Sequence, residues 1–301
     1  MQSKTKVIFL LGPTGVGKTE VSLFLAKKFN GEIISADSVQ VFKEFDIGSA
    51  KITAQEMQGV KHYGIDIKDP KEDFSVYDYI SYTKEKIKEI SQKGKLPIIV
   101  GGTGLYVKAL VNGYNFGDAG KNDDFREKIE KEISLNGLES VYQKLCKINP
   151  LLAEKTDKNN KVRVIRALEI SMFGTEKTKS NCEYDFKIFA LNLDRALLYE
   201  RINKRVDEMV KNGLIKEVET LYKKYGEVQP MKAIGYKEIV ECLENKKEIE
   251  KGIDLVKQHS RNYAKRQLTF LKGIENVIFV DAKDKEEAKK KIQKEIEDFI
   301  S

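Results

Sequence analysis

Short apolar runs alternate with longer amphipathic stretches over much of this chain. The runs are rich in β-branched residues, and they are VIFLL (7–11), EIISAD (32–37), YGIDI (63–67), LPIIVGG (96–102), KIFALNLD (187–194) and VIFVDA (277–282). Continuous runs of this kind are typical of parallel strands that are buried on both faces. The pattern therefore predicts an α/β fold, with a parallel sheet flanked by helices.

The strand pattern stops between Gly113 and about Glu183. Apolar residues there recur three or four positions apart, as at Phe125, Ile129 and Ile133, which is the spacing of an amphipathic helix. Segments rich in turn-forming residues bound this stretch on both sides. We therefore expect a discontinuous main domain, residues 1–112 and 187–301, and an inserted all-helical subdomain at residues 113–186.

The composition, 41% hydrophobic and 34% charged, is that of a folded, soluble protein. Three widely spaced cysteines and two histidines cannot assemble a Cys/His zinc cluster. No apolar stretch reaches the roughly 18 residues of a membrane helix, and the run at 7–11 is too short for a secretory signal. We expect a reduced, cytoplasmic setting and no membrane partner.

The net charge is +7, and lysine outnumbers arginine 46 to 8. Positive charge suits an anionic partner, although a lysine-rich composition alone makes a chain basic. All eight arginines lie after residue 125. Because arginine supplies a planar fork of donors that lysine lacks, their retention suggests phosphate contacts, with ordinary salt bridges as the alternative.

The segment GPTGVGKT (12–19) joins the first apolar run to a helical stretch. This strand, loop and helix order is the context of a phosphate-binding P-loop. Backbone N–H groups and the helix N-terminus would surround phosphate oxygens, Lys18 would reach the outer phosphates, and Thr19 could ligate Mg²⁺. The loop residues are Gly12, Pro13, Thr14, Gly15, Val16, Gly17, Lys18 and Thr19. The motif indicates a phosphate but does not identify the molecule that carries it.

Two further strand ends carry candidate chemistry. Asp37, in ADSVQ (36–40), is placed to act as a general base or to bind Mg²⁺ through water; capping of a following helix by Asp37 and Ser38 is the alternative. GGTGLY (101–106) stands where a simple nucleotide hydrolase carries a metal-binding acidic residue. Its glycines permit close approach of a substrate, and the Thr103 hydroxyl could point into the site, or the segment is a plain turn.

Basic and aromatic residues mix in HSRNYAKRQLTFLKG (259–273). On a helix, Arg261, Lys265 and Thr269 share one face, which would present donors to a phosphate backbone. A solvated charged face is the alternative for this pattern. MKAIGYKE (231–238) places lysines and a tyrosine around a glycine, which is compatible with RNA binding but is a weak signal.

The ordered set of motifs resembles the tRNA isopentenyltransferase family, the tRNA dimethylallyltransferases. The motifs are GPTGVGKT, ISADSVQVF, DIGSAK, GIDI followed by FSVYDY, PIIVGGTGLYVKAL, RVIRALEI, RINKRVDEMVKNGLIKEV, AIGYKE and YAKRQLT. They run from about residue 6 to residue 273. The chain has no Cys-x-x-Cys and so lacks the zinc finger of eukaryotic relatives, which favours the bacterial type. It departs from the family at Phe270, where Trp is frequent.

This resemblance implies a reaction. The P-loop would hold the diphosphate of dimethylallyl diphosphate, and the acceptor would be the exocyclic N6 of the adenosine just 3′ of the anticodon, in tRNAs that read codons beginning with U. Asp37 matches the family's base, with Thr103 beside it. Lys18, Arg205 and Mg²⁺ at Thr19 would stabilise the leaving diphosphate. The family suggests a monomer.

The resemblance also implies a set of tRNA contacts, which would make the insert an RNA-gripping arm. The matching positions are Asp37, Ser38, Val39, Gln40, Thr103, Arg126, Arg163, Arg166, Lys232, Tyr236, Lys265, Arg266 and Gln267.

Two other functions compete with prenyl transfer. A small-molecule or nucleotide kinase would hold ATP in the same loop, transfer a phosphoryl group and not depend on tRNA. A non-catalytic RNA-binding module would bind tRNA tightly, would not be affected by Asp37→Ala, and would form no modified product.

Overall fold

The computed structural model describes residues 4–115, 122–173, 178–179, 184–244, 246 and 248–301. The chain forms two compact units. The core unit consists of Met1–Val111 and Cys182–Ser301, and the inserted unit consists of Asn112–Asn181. Cys182 and much of the two turn-rich segments expected to bound the insert lie outside the described residues.

Six strands of the core unit form one sheet in which every neighbouring pair is parallel. In chain order the described strands are β1 (Thr5–Leu11), β2 (Gly31–Ala36), β3 (His62–Tyr63), β4 (Leu96–Gly101), β5 (Tyr114–Asn115), β6 (Thr178–Lys179), β7 (Tyr184–Asn192) and β8 (Val277–Asp281). The sheet order is β3-β2-β4-β1-β7-β8. The predicted α/β fold with a parallel sheet is confirmed.

Three central strands end at the same level of the sheet. Leu11 of β1 pairs with Gly101 of β4, and Gly101 also pairs with Ala36 of β2. The segments that follow these strands therefore leave the sheet along one edge. In open α/β sheets the carboxyl ends of the strands are where ligands bind.

Helices flank this sheet and fill the rest of both units. They are α1 (Lys18–Lys28), α2 (Val76–Gln92), α3 (Gly104–Val111), α4 (Asp123–Ile148), α5 (Pro150–Glu154), α6 (Lys161–Phe173), α7 (Arg195–Lys211), α8 (Leu214–Tyr225), α9 (Lys237–Leu243), α10 (Ile249–Leu271) and α11 (Lys285–Ile300). None of the described helices is long and apolar enough to cross a membrane.

Local sequence sets several helix starts. Ser75 accepts the N–H of Asp78 while the Asp78 carboxylate accepts the N–H of Ser75, a reciprocal capping box. At α7 and α11 the N-cap side chains, Asp194 and Asp284, each accept two backbone N–H groups without the reciprocal bond. Each such cap is worth about 1 kcal/mol.

The core is built around β1, whose residues 7–11 are completely buried. Ile8 and Leu10 belong to a cluster that includes Leu25 of α1 and Ile292 of α11. A strand buried in this manner needs no polar alternation, which explains the continuous apolar run in the sequence.

The predicted strand YGIDI is wrong beyond its first residue. The strand β3 ends at Tyr63, because Gly64 and Asp66 take left-handed φ values of 78° and 54°. A left-handed residue turns the chain away from a ladder, and glycine takes this conformation without steric cost. The segment after β3 is therefore a loop.

The inserted unit has its own apolar core, which includes Val141, Leu145, Val164 and Leu168. Its long helix α4 is interrupted at Gly137, where φ is 79°. We expected an all-helical unit, but β5 and β6 form a two-stranded antiparallel pair within it. Two extended segments running in opposite directions satisfy each other's backbone groups, a long-range pairing that helical periodicity cannot show.

Candidate active site

The predicted phosphate loop connects the end of β1 to the first turn of α1. Gly15 and Gly17 have φ values of 79° and 99°, a region that favours glycine. α7 lies against the loop, since a Cβ placed on Gly15 would be 3.1 Å from the side chain of Ile202. The loop is therefore held from behind by a second helix.

Lys18 folds back over its own loop. Its Nζ donates to Gly12 O at 2.9 Å and to Pro13 O at 2.8 Å. The pKa of Lys18 is lowered to about 7, chiefly by burial and then by the charge of Arg205, while Asp37 opposes the shift. A bound anion would supply the negative charge that this ammonium group lacks.

Arg205 of α7 is the second cation of the site. Its Nη1 donates to the Thr14 hydroxyl at 3.1 Å. Burial lowers the pKa of Arg205, and the negative charge of Asp37 partly offsets the effect. Lys18, Arg205 and Asp37 therefore share one electrostatic environment at the strand ends.

Asp37 closes a turn directly after β2. Its Oδ1 accepts the N–H groups of Val39 at 2.8 Å and Gln40 at 3.2 Å. No helix follows, so the interpretation of Asp37 and Ser38 as helix caps is wrong. In the part of the chain that the structure describes, no group donates to Oδ2 of Asp37. This oxygen is available to accept a proton.

Thr103 lies beside Asp37 at the start of α3. Its backbone N–H donates to Ala36 O at 3.3 Å, and its side chain lies close enough to the Tyr263 phenol on α10 to influence the pKa of that group. Burial raises the pKa of Tyr263, and the nearby charge of Asp37 raises it further. The structure thus brings Thr103 and Asp37 together and adds Tyr263 to them.

The GGTG turn is glycine-rich because neighbours approach it closely. A Cβ on Gly101 would lie 2.3 Å from Ala36 O, and one on Gly104 would lie 2.2 Å from the ring of Phe270. Real Cβ contacts are never this short, so neither position tolerates a side chain without movement. The turn is a packed junction between β4 and α10 rather than a plain surface turn.

Gln40 is held by the loop that contains DIGSAK (46–51). Its Nε2 donates to the carbonyl oxygens of Ser49 at 3.2 Å and Ala50 at 3.3 Å. The same loop is anchored from below by Glu217, whose carboxylate accepts three consecutive backbone N–H groups. The donors are Asp46, Ile47 and Gly48. Nothing in the sequence predicted this contact between Glu217 and the loop.

Tyr236 corrects the expected tRNA contacts. Its side chain is completely buried, and its hydroxyl donates to Glu217 at 2.8 Å. The ring packs on Phe45, with centroids 4.9 Å apart, and occupies the space a side chain would need at Gly48. Such a ring cannot stack on a base in this conformation, so AIGYKE supplies internal support.

Gln267 is also internal. Its side chain is 6% exposed and bonds to the phosphate loop and to the GGTG turn. By contrast, Lys232, Lys265 and Arg266 are exposed. The guanidinium of Arg266 lies 5.7 Å from the ring centroid of Tyr263. Of the C-terminal positions expected to contact RNA, these three cations are accessible.

In the inserted unit, Arg126 and Arg166 both bind the buried carboxylate of Glu169, at 2.8 Å and 2.6 Å. Burial alone would raise the pKa of Glu169, but hydrogen bonds from the two arginines and from Asn122 N lower it to about 2. Arg163 is exposed. The three arginines expected to contact RNA therefore divide into a partly exposed pair bound to Glu169 and one exposed residue.

Sequence reasoning left Tyr263 as either a base-stacking or a core residue, missed Glu217, and expected Gln267 to contact tRNA. Tyr263 and Gln267 are four residues apart, so they share a face of α10, and that spacing was a usable signal. Glu217 lies among many charged residues of α8 and nothing in its neighbourhood distinguishes it.

A parallel sheet with a glycine-rich phosphate loop, two cations beside it and a carboxylate on the neighbouring strand end define a P-loop protein equipped for group transfer from a phosphate-bearing donor. The family model described as IPP transferase matches residues 40–274. The chain belongs to this family.

Individual relatives match over nearly their whole length. The tRNA dimethylallyltransferase of Halalkalibacterium halodurans is 45% identical over 307 residues, which cover 99% of this chain and 97% of the relative. The Bacillus anthracis protein of the same name is 45% identical over 94% of this chain and 93% of its own length.

Solved structures agree with these relatives. The full-length tRNA isopentenylpyrophosphate transferase from Bacillus halodurans has a TM-score of 0.74 at 43% identity, covering 99% of this chain and 96% of its own. A eukaryotic dimethylallyltransferase described as acting on tRNA has a TM-score of 0.79 at 30% identity, covering 93% and 74%.

Proposed function

We propose that this protein transfers the dimethylallyl group of dimethylallyl diphosphate to N6 of the adenosine just 3′ of the anticodon, in tRNAs that read codons beginning with U, and releases diphosphate. The observation that carries the proposal is the meeting of Asp37 with Lys18 and Arg205 at one sheet edge. Relatives named tRNA dimethylallyltransferase support the reaction and the RNA substrate.

Asp37 acts on the acceptor side. The lone pair of the exocyclic nitrogen is delocalised into the adenine ring, so N6 is a weak nucleophile and benefits from a positioned base. As the bond between N6 and the allylic carbon forms and the bond from that carbon to the diphosphate oxygen breaks, the N6 proton passes to Oδ2 of Asp37. Thr103, which lies next to Tyr263, orients the adenine beside it.

The phosphate loop acts on the donor side. The leaving diphosphate gains negative charge as the carbon–oxygen bond breaks, and preorganised donors that meet this charge lower the barrier. Lys18 exchanges its contacts with the loop carbonyls for phosphate oxygens, and Arg205 approaches from α7. Burial and Arg205 lower the pKa of Lys18 to about 7, and a bound diphosphate would favour its charged form.

Mg²⁺ fits this site through Thr19, an exposed hydroxyl residue in the first turn of α1. The described residues contain no group of three or more side chains of the His, Cys, Asp and Glu types placed to hold a metal. That agrees with Mg²⁺ rather than a caged metal, because Mg²⁺ keeps most of its waters and takes one or two protein ligands plus substrate phosphates. When bound, the ion would neutralise part of the diphosphate charge.

The RNA-facing surface combines exposed cations with the turn around Asp37. In the core unit, Lys232, Lys265 and Arg266 would meet phosphates. The inserted unit, taken by itself, offers the exposed Arg163 for phosphate contact. Ser38 and Val39 lie in the turn closed by Asp37 and would line the acceptor. The target adenine has to leave its stack, which costs a few kcal/mol that these phosphate contacts offset.

The reaction is tested with purified protein, Mg²⁺, unmodified tRNA and either dimethylallyl diphosphate or ATP, followed by mass analysis of the nucleosides. We expect a C5 addition on adenosine that requires the prenyl donor. Asp37→Ala should lower the rate by about 10²–10⁴-fold, whereas Asp298→Ala, on the exposed side of α11, should not. ATP consumption without RNA modification would indicate a kinase. Tight tRNA binding without product would indicate a binding module.

We also propose that the protein acts as a monomer in the cytoplasm. The odd number and wide spacing of its cysteines support a reducing compartment. Light scattering after size-exclusion chromatography would give the mass of one chain, 34.4 kDa, if the monomer is correct.

A further inference from the structure

The side chain of Gln267 joins two segments that leave neighbouring strands. Its Oε1 accepts the N–H of Thr14 at 3.0 Å, and its Nε2 donates to Gly102 O at 3.0 Å. With 6% of the residue exposed, water competes little for these bonds. One amide group thus connects the phosphate loop after β1 to the GGTG turn after β4.

This link stands where the backbone ladder stops. The register between β1 and β4 ends at the pair Leu11 and Gly101. Beyond that pair, Gln267 supplies hydrogen bonds that the two backbones no longer make to each other. The fit is close, because a Cβ on Gly102 would lie 2.1 Å from Nε2. One side chain therefore bridges the two segments at close contact.

The same face of α10 reaches the acceptor side. Tyr263, one turn before Gln267, lies beside the side chains of both Thr103 and Gln267. Thr103 is the residue that the proposed function places beside the adenine, and Thr14 belongs to the loop that holds the donor. A single helix face therefore contacts both halves of the site.

We infer that Gln267 is a positioning residue that sets the distance between the donor diphosphate and the acceptor nitrogen. This inference rests on the proposed function. In-line transfer requires reacting atoms about 3–3.5 Å apart, and a displacement of about 1 Å costs about 10²-fold in rate. Gln267 acts through Thr14 and Gly102 and does not touch the reacting atoms.

A positioning role and a direct tRNA contact predict different kinetics. If Gln267 is a positioning residue, its loss lowers kcat but leaves both substrates bound, because its two hydrogen bonds matter for alignment in the transition state. Loss of an RNA contact raises the Kd for tRNA and leaves kcat at saturating tRNA unchanged. The burial of Gln267 and the engagement of both ends of its amide favour the first.

The experiment compares Gln267→Leu with Gln229→Leu in the full-length protein. Gln229 is an exposed residue that serves as a control for the hydrogen-bond pattern, since its amide also accepts one backbone N–H and donates to one carbonyl, both of Phe74, at 3.0 Å and 2.9 Å. We expect Gln267→Leu to lower kcat about 10²-fold, with Kd values for tRNA and inorganic diphosphate within about threefold of wild type. Gln229→Leu should keep the wild-type kcat.

Gln267→Glu provides a second reading if the leucine variant does not fold. It keeps the acceptor for Thr14 N, loses the donor to Gly102 O and places a carboxylate oxygen against that carbonyl, so a loss of kcat with the Kd for tRNA retained is expected here too. An active wild type with unchanged kcat in both variants would overturn the inference alone. So would a raised Kd for tRNA with kcat retained, or a loss of activity that only tracks the unfolded fraction. A wild type that adds no prenyl group would overturn the proposed function as well.

Discussion

Glu217 and Tyr236 are joined by a hydrogen bond of 2.8 Å between Oε1 and the phenol. The same carboxylate accepts the backbone N–H groups of residues 46–48. It therefore accepts four hydrogen bonds, three from the loop and one from Tyr236. The same loop holds the side chain of Gln40, whose backbone N–H donates to Asp37. Tyr236 completes this carboxylate site rather than facing a partner.

Tyr236→Phe should lower stability without changing RNA affinity. The ring would still pack on Phe45, but Glu217 would lose one donor, and a hydrogen bond to a charged group is worth about 1.5–3 kcal/mol. Denaturant unfolding should show a loss of that size, with the Kd for tRNA unchanged. Tyr225→Phe is the control, because its hydroxyl bonds to Glu44 at an exposed position. A weaker affinity for tRNA in Tyr236→Phe would show that the ring reaches RNA.

Donor binding should take up a proton at pH 8. With a pKa of about 7, Lys18 is mostly neutral at that pH in the free protein, and a bound diphosphate favours the charged form and raises its pKa. Protons bound should therefore increase by up to about one at pH 8 and by almost none below pH 6. Calorimetry of inorganic diphosphate binding in buffers of different ionisation enthalpy measures this number. Equal enthalpies in all buffers at pH 8 would contradict it.

Glu169→Gln should destabilise the protein and alter its acid unfolding. Removing one partner of a buried ion pair typically costs about 3–5 kcal/mol. The partial exposure of Arg126 and Arg166 places this case at or below the lower end. The pKa of Glu169 is lowered from 4.5 to about 2 on folding, so its stabilisation is present above pH 4.5 and is lost as pH falls through about 2. The difference in unfolding free energy between wild type and variant should shrink across this window, and a constant difference would refute the account.

Gly102→Ala should reduce activity more than an alanine at an unconstrained glycine. The new methyl would start 2.1 Å from Nε2 of Gln267 and 3.0 Å from Gly12 O, so the amide must move. We expect a fall in kcat of at least about tenfold, because moving the Gln267 amide would misalign the donor and the acceptor, as its loss would. Gly273→Ala, whose methyl would have ordinary contact at 3.4 Å, is the control. Equal kcat values for the two variants would argue against a close fit at Gly102.

The sequence alone could not show which polar residues are buried and hydrogen-bonded within the protein. Tyr236 and Gln267 lie in motifs that suit RNA binding, yet both are buried and bonded to protein groups. Their partners are distant in the chain: 253 residues separate Gln267 from Thr14, and 170 separate Glu217 from Ile47. No periodicity reports contacts of this range. For the same reason the β5–β6 pair escaped prediction.

Local patterns by themselves determined the parallel sheet, the phosphate loop and the placement of Asp37 and Thr103 directly after strands. They could do so because burial on both faces, glycine conformation and helix periodicity each act over a few residues. Only the tertiary structure decided that Arg205 joins Lys18 and Asp37, that Glu217 supports the loop around Gln40, and that Gln267 links two strand ends. These depend on which helix faces pack together, and that is settled by burial and hydrogen bonding across the whole fold.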